Sequence, residues 1–323
     1  MNNDIKISII IPVFNTVKTY STDKYLLNNI KSITNQTYNN LEIIYIDNNS
    51  EDESIDIIKS YAEKDPRIKI YQETTPGVSN ARNKGIDVAT GDYFTFVDSD
   101  DFIGFNLIQD AVEKLASNNF KTDILIGDFI GQSPNGFVGN SLRKVAINNW
   151  GKDIKEIYAW MECVPNIFFK KSFASNHNLK FNTKIKVGED YLFNVSAIVK
   201  TQNIDFYSSY EYYYQLLDNS CCRKLSDDYL TFIDAFDEVL KLGVDKYGCL
   251  NPNNIAYYIS QYNALRGRSI NKKLFDEKYF GLLQKYKINK YTIPLMKLEY
   301  LLLQYFPYIL VNKRVRTINA RLR

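Results

Sequence analysis

The chain has 323 residues, of which 45% are hydrophobic and 24% charged, enough for one large domain plus an appendage and unlike a disordered or fibrous protein. Its net charge of +3 is unevenly placed: from Tyr291 onward six lysines and arginines face Glu299 alone, so the rest is slightly acidic and nucleic acid is not the expected partner. Cys163, Cys221, Cys222 and Cys249 lack Cys-x-x-Cys spacing and His177 is the sole histidine, which speaks against a zinc site.

Met1 to Lys6 lead into the first apolar run without the charged and apolar regions of a secretion signal, so cytoplasmic residence with reduced thiols is expected. Runs rich in β-branched residues recur at Ile7–Val13, Leu41–Asp47, Ile68–Tyr71, Tyr93–Asp98 and Asp123–Ile126. Helical patterns separate most of them, at Lys24–Thr34, Ser50–Ala62, Val78–Ala89 and Asn106–Ser117. Ser50 with Glu53 reads as a capping box opening the second helix, and Gly91 follows the end of the third. The rhythm predicts an α/β fold with a mostly parallel sheet covered by helices on both faces. It breaks at Gly127 to Asn149, a loop-prone stretch expected over the site. Farther on, Tyr191 to Val199 reads as a helix with Glu189 and Asp190 at its start, and Glu211–Gln215 as a strand. After about residue 225 nearly everything reads as helix, which divides the chain into residues 1–225 and 226–323.

In open parallel sheets ligands bind outside the carboxyl ends of the strands. Three polar clusters lie there: Pro12-Val13-Phe14-Asn15, Asp47-Asn48-Asn49-Ser50 and Asp98-Ser99-Asp100-Asp101. In an extended segment Asp98 and Asp100 would share one face and Ser99 the other, so the two acids can converge on one hard cation. Mg²⁺ or Mn²⁺ fits carboxylate oxygens and is commonly shared with substrate phosphates, which points to a nucleoside diphosphate ligand. The blander alternative is that Asp101 caps a helix from Phe102 to Leu115.

These motifs resemble family 2 glycosyltransferases, which have the Rossmann-like GT-A fold and use nucleotide-activated sugars. The likeness rests on Ser8-Ile9-Ile10-Ile11-Pro12-Val13-Phe14-Asn15, Asn35-Gln36-Thr37-Tyr38, Ile46-Asp47-Asn48-Asn49-Ser50-Glu51-Asp52, Ala81-Arg82-Asn83-Lys84-Gly85, Phe96-Val97-Asp98-Ser99-Asp100-Asp101 and Gly188-Glu189-Asp190. It covers about two thirds of the chain. One departure lies after the second strand, where the family usually has two adjacent acids and a glycine and this chain has Asp47-Asn48-Asn49.

The resemblance implies that Asp100, with Asp98, holds Mn²⁺ or Mg²⁺ against a UDP-sugar. Pro12, Phe14, Asn15, Asp47, Arg82, Asp98 and Ser99 would form the nucleotide-sugar site, with Asp47 at the uracil. Asp190 is the candidate base, and Glu189 would orient the acceptor or the loop. A carboxylate suits this role because the acceptor hydroxyl becomes acidic only late in the step. A plain N-cap is the structural alternative for Asp190, and an ion pair with an acid such as Asp47 is the alternative for Arg82. Tyr45, Trp150, Trp160 and Tyr212–Tyr214 are aromatic candidates for stacking, with core packing favoured; Ser220 and Arg223 lie in a loop that closes over the diphosphate in relatives.

Tyr300 to Asn312 is apolar, contains Pro307 and precedes Lys313-Arg314-Val315-Arg316. It is too short to span a bilayer, which takes ~20 residues. Two readings stand: a peripheral segment on an anionic membrane surface, or helices packing on this chain or in a homo-oligomer. The sequence therefore predicts a cytoplasmic inverting transferase that extends a glycan acceptor, lipid-linked or not, in surface polysaccharide synthesis. A sugar nucleotidyltransferase would need a Gly-rich, Arg-containing loop after the first strand, which is missing. A catalytically silent nucleotide-sugar-binding partner subunit is the second reading.

Overall fold

The computed structural model describes residues 5–133, 136–140, 164–209, 211–217, 225–242 and 265–285. Trp150, Trp160, Ser220, Arg223, residues 134–135 and 141–149 of the loop-prone stretch and the whole basic C-terminal segment lie outside the described residues.

The strands are β1 (Ile7–Val13), β2 (Leu41–Asp47), β3 (Ile68–Gln72), β4 (Tyr93–Phe96), β5 (Phe102–Ile103), β6 (Ile124–Ile126), β7 (Ile130–Ser133), β8 (Gly136–Asn140), β9 (Ile167–Lys170), β10 (Ile204–Phe206) and β11 (Tyr212–Gln215). The helices are α1 (Thr16–Tyr20), α2 (Lys24–Thr34), α3 (Ser54–Ala62), α4 (Val78–Val88), α5 (Leu107–Ser117), α6 (Lys171–Asn176), α7 (Glu189–Ile198), α8 (Leu230–Lys241) and α9 (Lys272–Lys285).

Seven strands form the main sheet in the order β10-β6-β9-β4-β1-β2-β3. All neighbours run parallel except β9, which is antiparallel to both β4 and β6. A smaller sheet, β5-β11-β7-β8, stands beside it. Along β1 and β2 the side chains alternate between two cores. Ile10, Ile44 and Ile46 join Phe94 and Phe96 under α4 and α7, whereas Ile9, Ile11, Ile43 and Tyr45 join the residues of α2 and α5 on the opposite face. This two-sided burial is why the strands read as continuous apolar runs. Gly85 lets α4 lie close on β1, since a Cβ there would fall inside the Ile10 side chain.

Four local expectations need correction. Helix α3 begins at Ser54, four residues late, because Ser50 Oγ accepts the Asn15 N–H at 3.1 Å instead of capping the helix, and Glu53 makes no side-chain cap. Strand β4 ends at Phe96, and Asp98–Asp101 is a turn closed by the Asp101 N–H on the Asp98 carbonyl at 3.0 Å, not an extended segment. Asp101 caps no helix, since β5 follows it and α5 starts only at Leu107. Helix α1 was not anticipated at all.

The described C-terminal helices continue the main core. Phe236 and Val239 of α8 and Phe275 and Tyr279 of α9 belong to the same apolar cluster as Phe96 and Phe193. No helix among the described residues is long and apolar enough to cross a membrane.

The opposite, amino-terminal edge of the sheet is pinned by Glu42, which accepts bonds from Ser8 Oγ (2.8 Å), Thr90 N–H (2.8 Å) and Thr90 Oγ1 (3.0 Å), with Lys6 Nζ at 3.4 Å. Burial pushes this carboxyl up, but the donors of Thr90 and Ser8 outweigh it and hold it below its ordinary value of 4.5. A group whose pKa falls on folding contributes stability above the unfolded value and loses it as the pH drops through the folded one. Glu42→Gln is therefore expected to lower stability at pH 7 by about 1.5–3 kcal/mol, the range for a hydrogen bond to a charged group. Urea midpoints measured from pH 7 to 3 should fall less steeply in the variant than in the wild type.

Candidate active site

Because β1, β2 and β4 are parallel and in register, with Val13 opposite Asp47 and Ile10 opposite Phe96, their carboxyl ends open on one edge. Around that edge stand the turn Asp98–Asp101, the loop after β2, helix α1 and the first turn of α7.

Arg82 of α4 is the centre of this arrangement. Its side chain is 4% exposed and reaches three carboxylates from two other elements: Asp190 Oδ1 at 2.6 Å, Asp98 Oδ1 at 3.0 Å and Glu189 Oε1 at 3.2 Å. Phe181 backs the guanidinium, 5.4 Å from its ring centroid, and stacks in turn on Phe193 at 4.0 Å. Burial works against the charge on Arg82, but Asp190, Asp98 and Glu189 together hold it above the ordinary arginine value. Arg82 thus makes an ion pair, as the structural alternative held, but with these acids and not with Asp47.

Glu189 and Asp190 occupy the first turn of α7, as the sequence indicated, behind Gly188 at φ +87°. A Cβ on Gly188 would meet the Phe232 ring, so glycine serves both the backbone angle and the close approach of α8. Burial raises the pKa of both carboxyls, with Arg82 opposing the rise.

The turn itself is built by buried polar side chains. Asn29 of α2 donates to the Asp98 carbonyl at 3.0 Å and the Asp101 carbonyl at 2.9 Å, and Tyr45 Oη donates to Asn29 Oδ1 at 3.0 Å. Asp101 accepts from Tyr212 Oη (2.8 Å) and the Gln215 N–H (2.7 Å), which ties the smaller sheet to the turn. Ser99 bonds Thr16 through their hydroxyls at 2.7 Å, and Tyr20 Oη donates to Asp100 Oδ2 at 2.5 Å. Burial first, and Asp98 second, push the Asp100 carboxyl up to about 6.

Asn15 follows β1 and Asp47 is the last residue of β2. Asp47 Oδ1 accepts the Ser50 N–H at 2.9 Å and Asn15 Oδ1 the Glu51 N–H at 2.7 Å, so both shape the loop after β2. Pro12 lies in β1 just before them, and Phe14 is 60% exposed at the mouth. Tyr45 and Tyr212 are core residues, and Tyr213 stacks on Phe102 at 4.6 Å, as the packing alternative held. The sequence reading missed Thr16, Tyr20 and Asn29. Only Asn29 left a signal, a polar residue within the buried stripe Leu26, Ile30 and Ile33 of α2.

Among the described residues no three acids, histidines or cysteines converge tightly enough to hold a metal by themselves. The donor chemistry nevertheless fits a divalent cation. Asp98 and Asp100 are hard oxygen donors whose mutual repulsion a cation relieves, and Mg²⁺-type ions take one or two carboxylates and complete their shell with water and phosphate.

A mostly parallel sheet carrying an acid turn after β4 and an acid pair on a facing helix is the GT-A fold. The chain matches S. aureus TarS, residues 1–349 in complex with UDP-GlcNAc, with a TM-score of 0.61 at 18% identity over 88% of this chain and 92% of that one. It matches mannosyltransferase PcManGT of Pyrobaculum calidifontis, in complex with GDP-Man and Mn²⁺, with a TM-score of 0.55 at 13% identity over 94% and 82%. The model of glycosyl transferase family 2 matches residues 8–197, and the chain belongs to that family. Curated relatives include the poly(ribitol-phosphate) beta-glucosyltransferase of Bacillus spizizenii, 30% identical over 65% of this chain and 32% of its own length. Glycosyltransferase GlyA of Streptococcus pneumoniae is 28% identical over 74% of this chain and 35% of its own. The chain thus spans about a third of the length of these relatives.

Removing the guanidinium would leave three carboxylates facing one another. Arg82→Met is expected to cost about 3 kcal/mol in urea unfolding, the low end for a broken buried pair because Asp98, Glu189 and Asp190 keep 12–29% exposure. In that background Asp190→Asn should cost less than in the wild type, a coupling that a double-mutant cycle reads directly.

Proposed function

We propose that this chain transfers a sugar from a UDP-sugar to a hydroxyl of a glycan acceptor by single displacement, with inversion at the anomeric carbon. The observation that carries the reading is the Arg82 hub, which joins the acid turn to the Glu189-Asp190 helix start, so that leaving-group and acceptor functions share one site.

Asp47, Pro12, Phe14, Asn15 and Ser99 form the nucleotide end in this reading. Mn²⁺ or Mg²⁺ held by Asp100 and Asp98 would neutralise charge on the departing diphosphate. Asp190 receives the acceptor proton. One of its oxygens is engaged by Arg82 at 2.6 Å, which fixes the orientation of the carboxylate, and the pKa that burial raises suits a group that takes a proton late in the step. Glu189 accepts from the same Arg82 nitrogen and so orients the base and its loop. With one carboxylate facing the acceptor and no second nucleophile in the reading, an α-configured donor gives a β-linked product.

TarS bound to UDP-GlcNAc and the glucosyltransferase acting on poly(ribitol-phosphate) support a hexose or N-acetylhexosamine donor and a polymeric acceptor for this chain as well. The proposal includes a division near residue 225, a cytoplasmic setting and work on surface polysaccharide, with the basic C-terminal segment meeting a membrane surface or a second copy.

The test is UDP release from a panel of UDP-sugars, with Mn²⁺ or EDTA. One donor is expected to turn over in a metal-dependent way, with Asp190→Asn reducing kcat by ~10²–10⁴ while UDP binding persists, and Asp100→Ala losing metal-dependent release. NMR couplings should show a β-linked product from an α-linked donor. Retained configuration rejects single displacement, and a chain that turns over no UDP-sugar is a silent partner subunit or uses another nucleotide.

A further inference from the structure

Helix α1 has the least intrinsic reason to exist of any helix described. Its five residues, Thr-Val-Lys-Thr-Tyr, are mostly β-branched, and it lies between two left-handed residues, Asn15 at φ +49° and Ser21 at φ +54°. The helix is held from outside: Val17 N–H donates to Ser54 Oγ at 3.1 Å and Lys18 N–H to Asp52 Oδ2 at 2.8 Å. The outcome is that Thr16 and Tyr20, four apart and on one face, meet consecutive residues of the acid turn. Thr16 bonds Ser99 and Tyr20 bonds Asp100. The Tyr20 ring is itself steadied edge-on by Tyr25, with centroids 5.3 Å apart.

We propose that Tyr20 is a positioning residue for Asp100 that makes the site favour Mn²⁺ and Mg²⁺ over Ca²⁺; this rests on the reading of Asp100 as a cation-holding carboxylate. The phenol engages Oδ2 in a hydrogen bond, which leaves the other oxygen as the better donor, so that in this proposal Asp100 favours one-oxygen ligation. Mg²⁺-type ions require compact octahedral shells and are content with single carboxylate oxygens, whereas Ca²⁺ takes more ligands and gains from two-oxygen carboxylates. Tyr20 therefore withholds the oxygen that Ca²⁺ would use and holds the other one in place for the smaller ion. Partners of ligating carboxylates commonly alter metal affinity ~10–100-fold.

The experiment is calorimetric titration of the full chain, saturated with UDP, with MnCl₂ and separately with CaCl₂. Wild type is compared with Tyr20→Phe and with Tyr25→Phe, which keeps the Tyr20 contact. Tyr20→Phe should weaken Mn²⁺ binding about tenfold while it frees the second oxygen for Ca²⁺, whose binding stays unchanged or tightens, so the ratio of the two affinities falls by about tenfold or more; Tyr25→Phe should keep the wild-type ratio. Equal shifts for both ions, or none, overturn the proposal, because a merely structural tyrosine would not discriminate between cations. A wild type that binds UDP but neither ion overturns the metal reading itself, and one that binds Mn²⁺ as Tyr20→Phe does overturns the role of Tyr20 alone. UDP titrated without metal reports that each variant is folded.

Discussion

Among the described residues five carboxylates, Asp98, Asp100, Asp101, Glu189 and Asp190, crowd one edge of the sheet, and three of them meet the buried guanidinium of Arg82. Like charges about 4 Å apart repel by about 4 kcal/mol even at an effective dielectric of ~20. Arg82 answers part of that repulsion, and its planar fork explains why arginine is there. One nitrogen serves Asp190 and Glu189 while another serves Asp98, a division that the single ammonium of lysine cannot reproduce. The rest is spread over neutral donors, Tyr20 for Asp100 and Tyr212 with the Gln215 N–H for Asp101. What remains is an excess of negative charge suited to a divalent cation.

That hub also explains what the C-terminal helices do for the site. Asp190 is useful only if the start of α7 is fixed, and α7 is held from behind by α8, whose Phe232 and Ala235 pack on Gly188. Thr231 Oγ1 accepts the Lys186 and Val187 N–H groups at 3.1 and 3.0 Å, just ahead of the acid pair. Helix α9 supports α8 through the apolar cluster and the Lys285–Asp237 pair at 2.7 Å. Residues far along the chain therefore set the position of the candidate base.

The strands were legible because burial on both faces makes apolar runs of β1 and β2 that turn chemistry then ends. The place of the acid pair on α7 was legible for the same reason, as a polar dipeptide before an apolar helix. The partners of Arg82 were not, since they lie 16, 107 and 108 residues away and nothing local encodes such a meeting. Antiparallel β9 inserts between β4 and β6 after a long excursion, which no rhythm of strands and helices announces. Helix α1 was illegible because distant side chains hold its start, Ser54 accepting the Val17 N–H and Asp52 the Lys18 N–H, while its own five residues carry no helical pattern. The capping box at Ser50 and Glu53 failed for a related reason: a distant backbone donor, the Asn15 N–H, claimed the hydroxyl.

The departure at Asp47-Asn48-Asn49 has a physical account. Asn48 donates its amide to the carbonyls of Glu73 and Thr75, both at 2.8 Å, and accepts the Gly77 N–H at 2.7 Å. An ionised aspartate could accept that N–H but could donate to neither carbonyl, so asparagine here builds the loop between β3 and α4. Asn49 sits at φ +67°, the left-handed region where glycine would be at ease and where asparagine is the best-tolerated substitute; its amide adds a 2.9 Å bond to the Thr74 carbonyl. Both substitutions thus serve the loop that leads into the helix bearing Arg82. The carboxylate left at this strand end is Asp47, which in the proposed reading meets the nucleobase beside the loop that Asn48 and Asn49 hold.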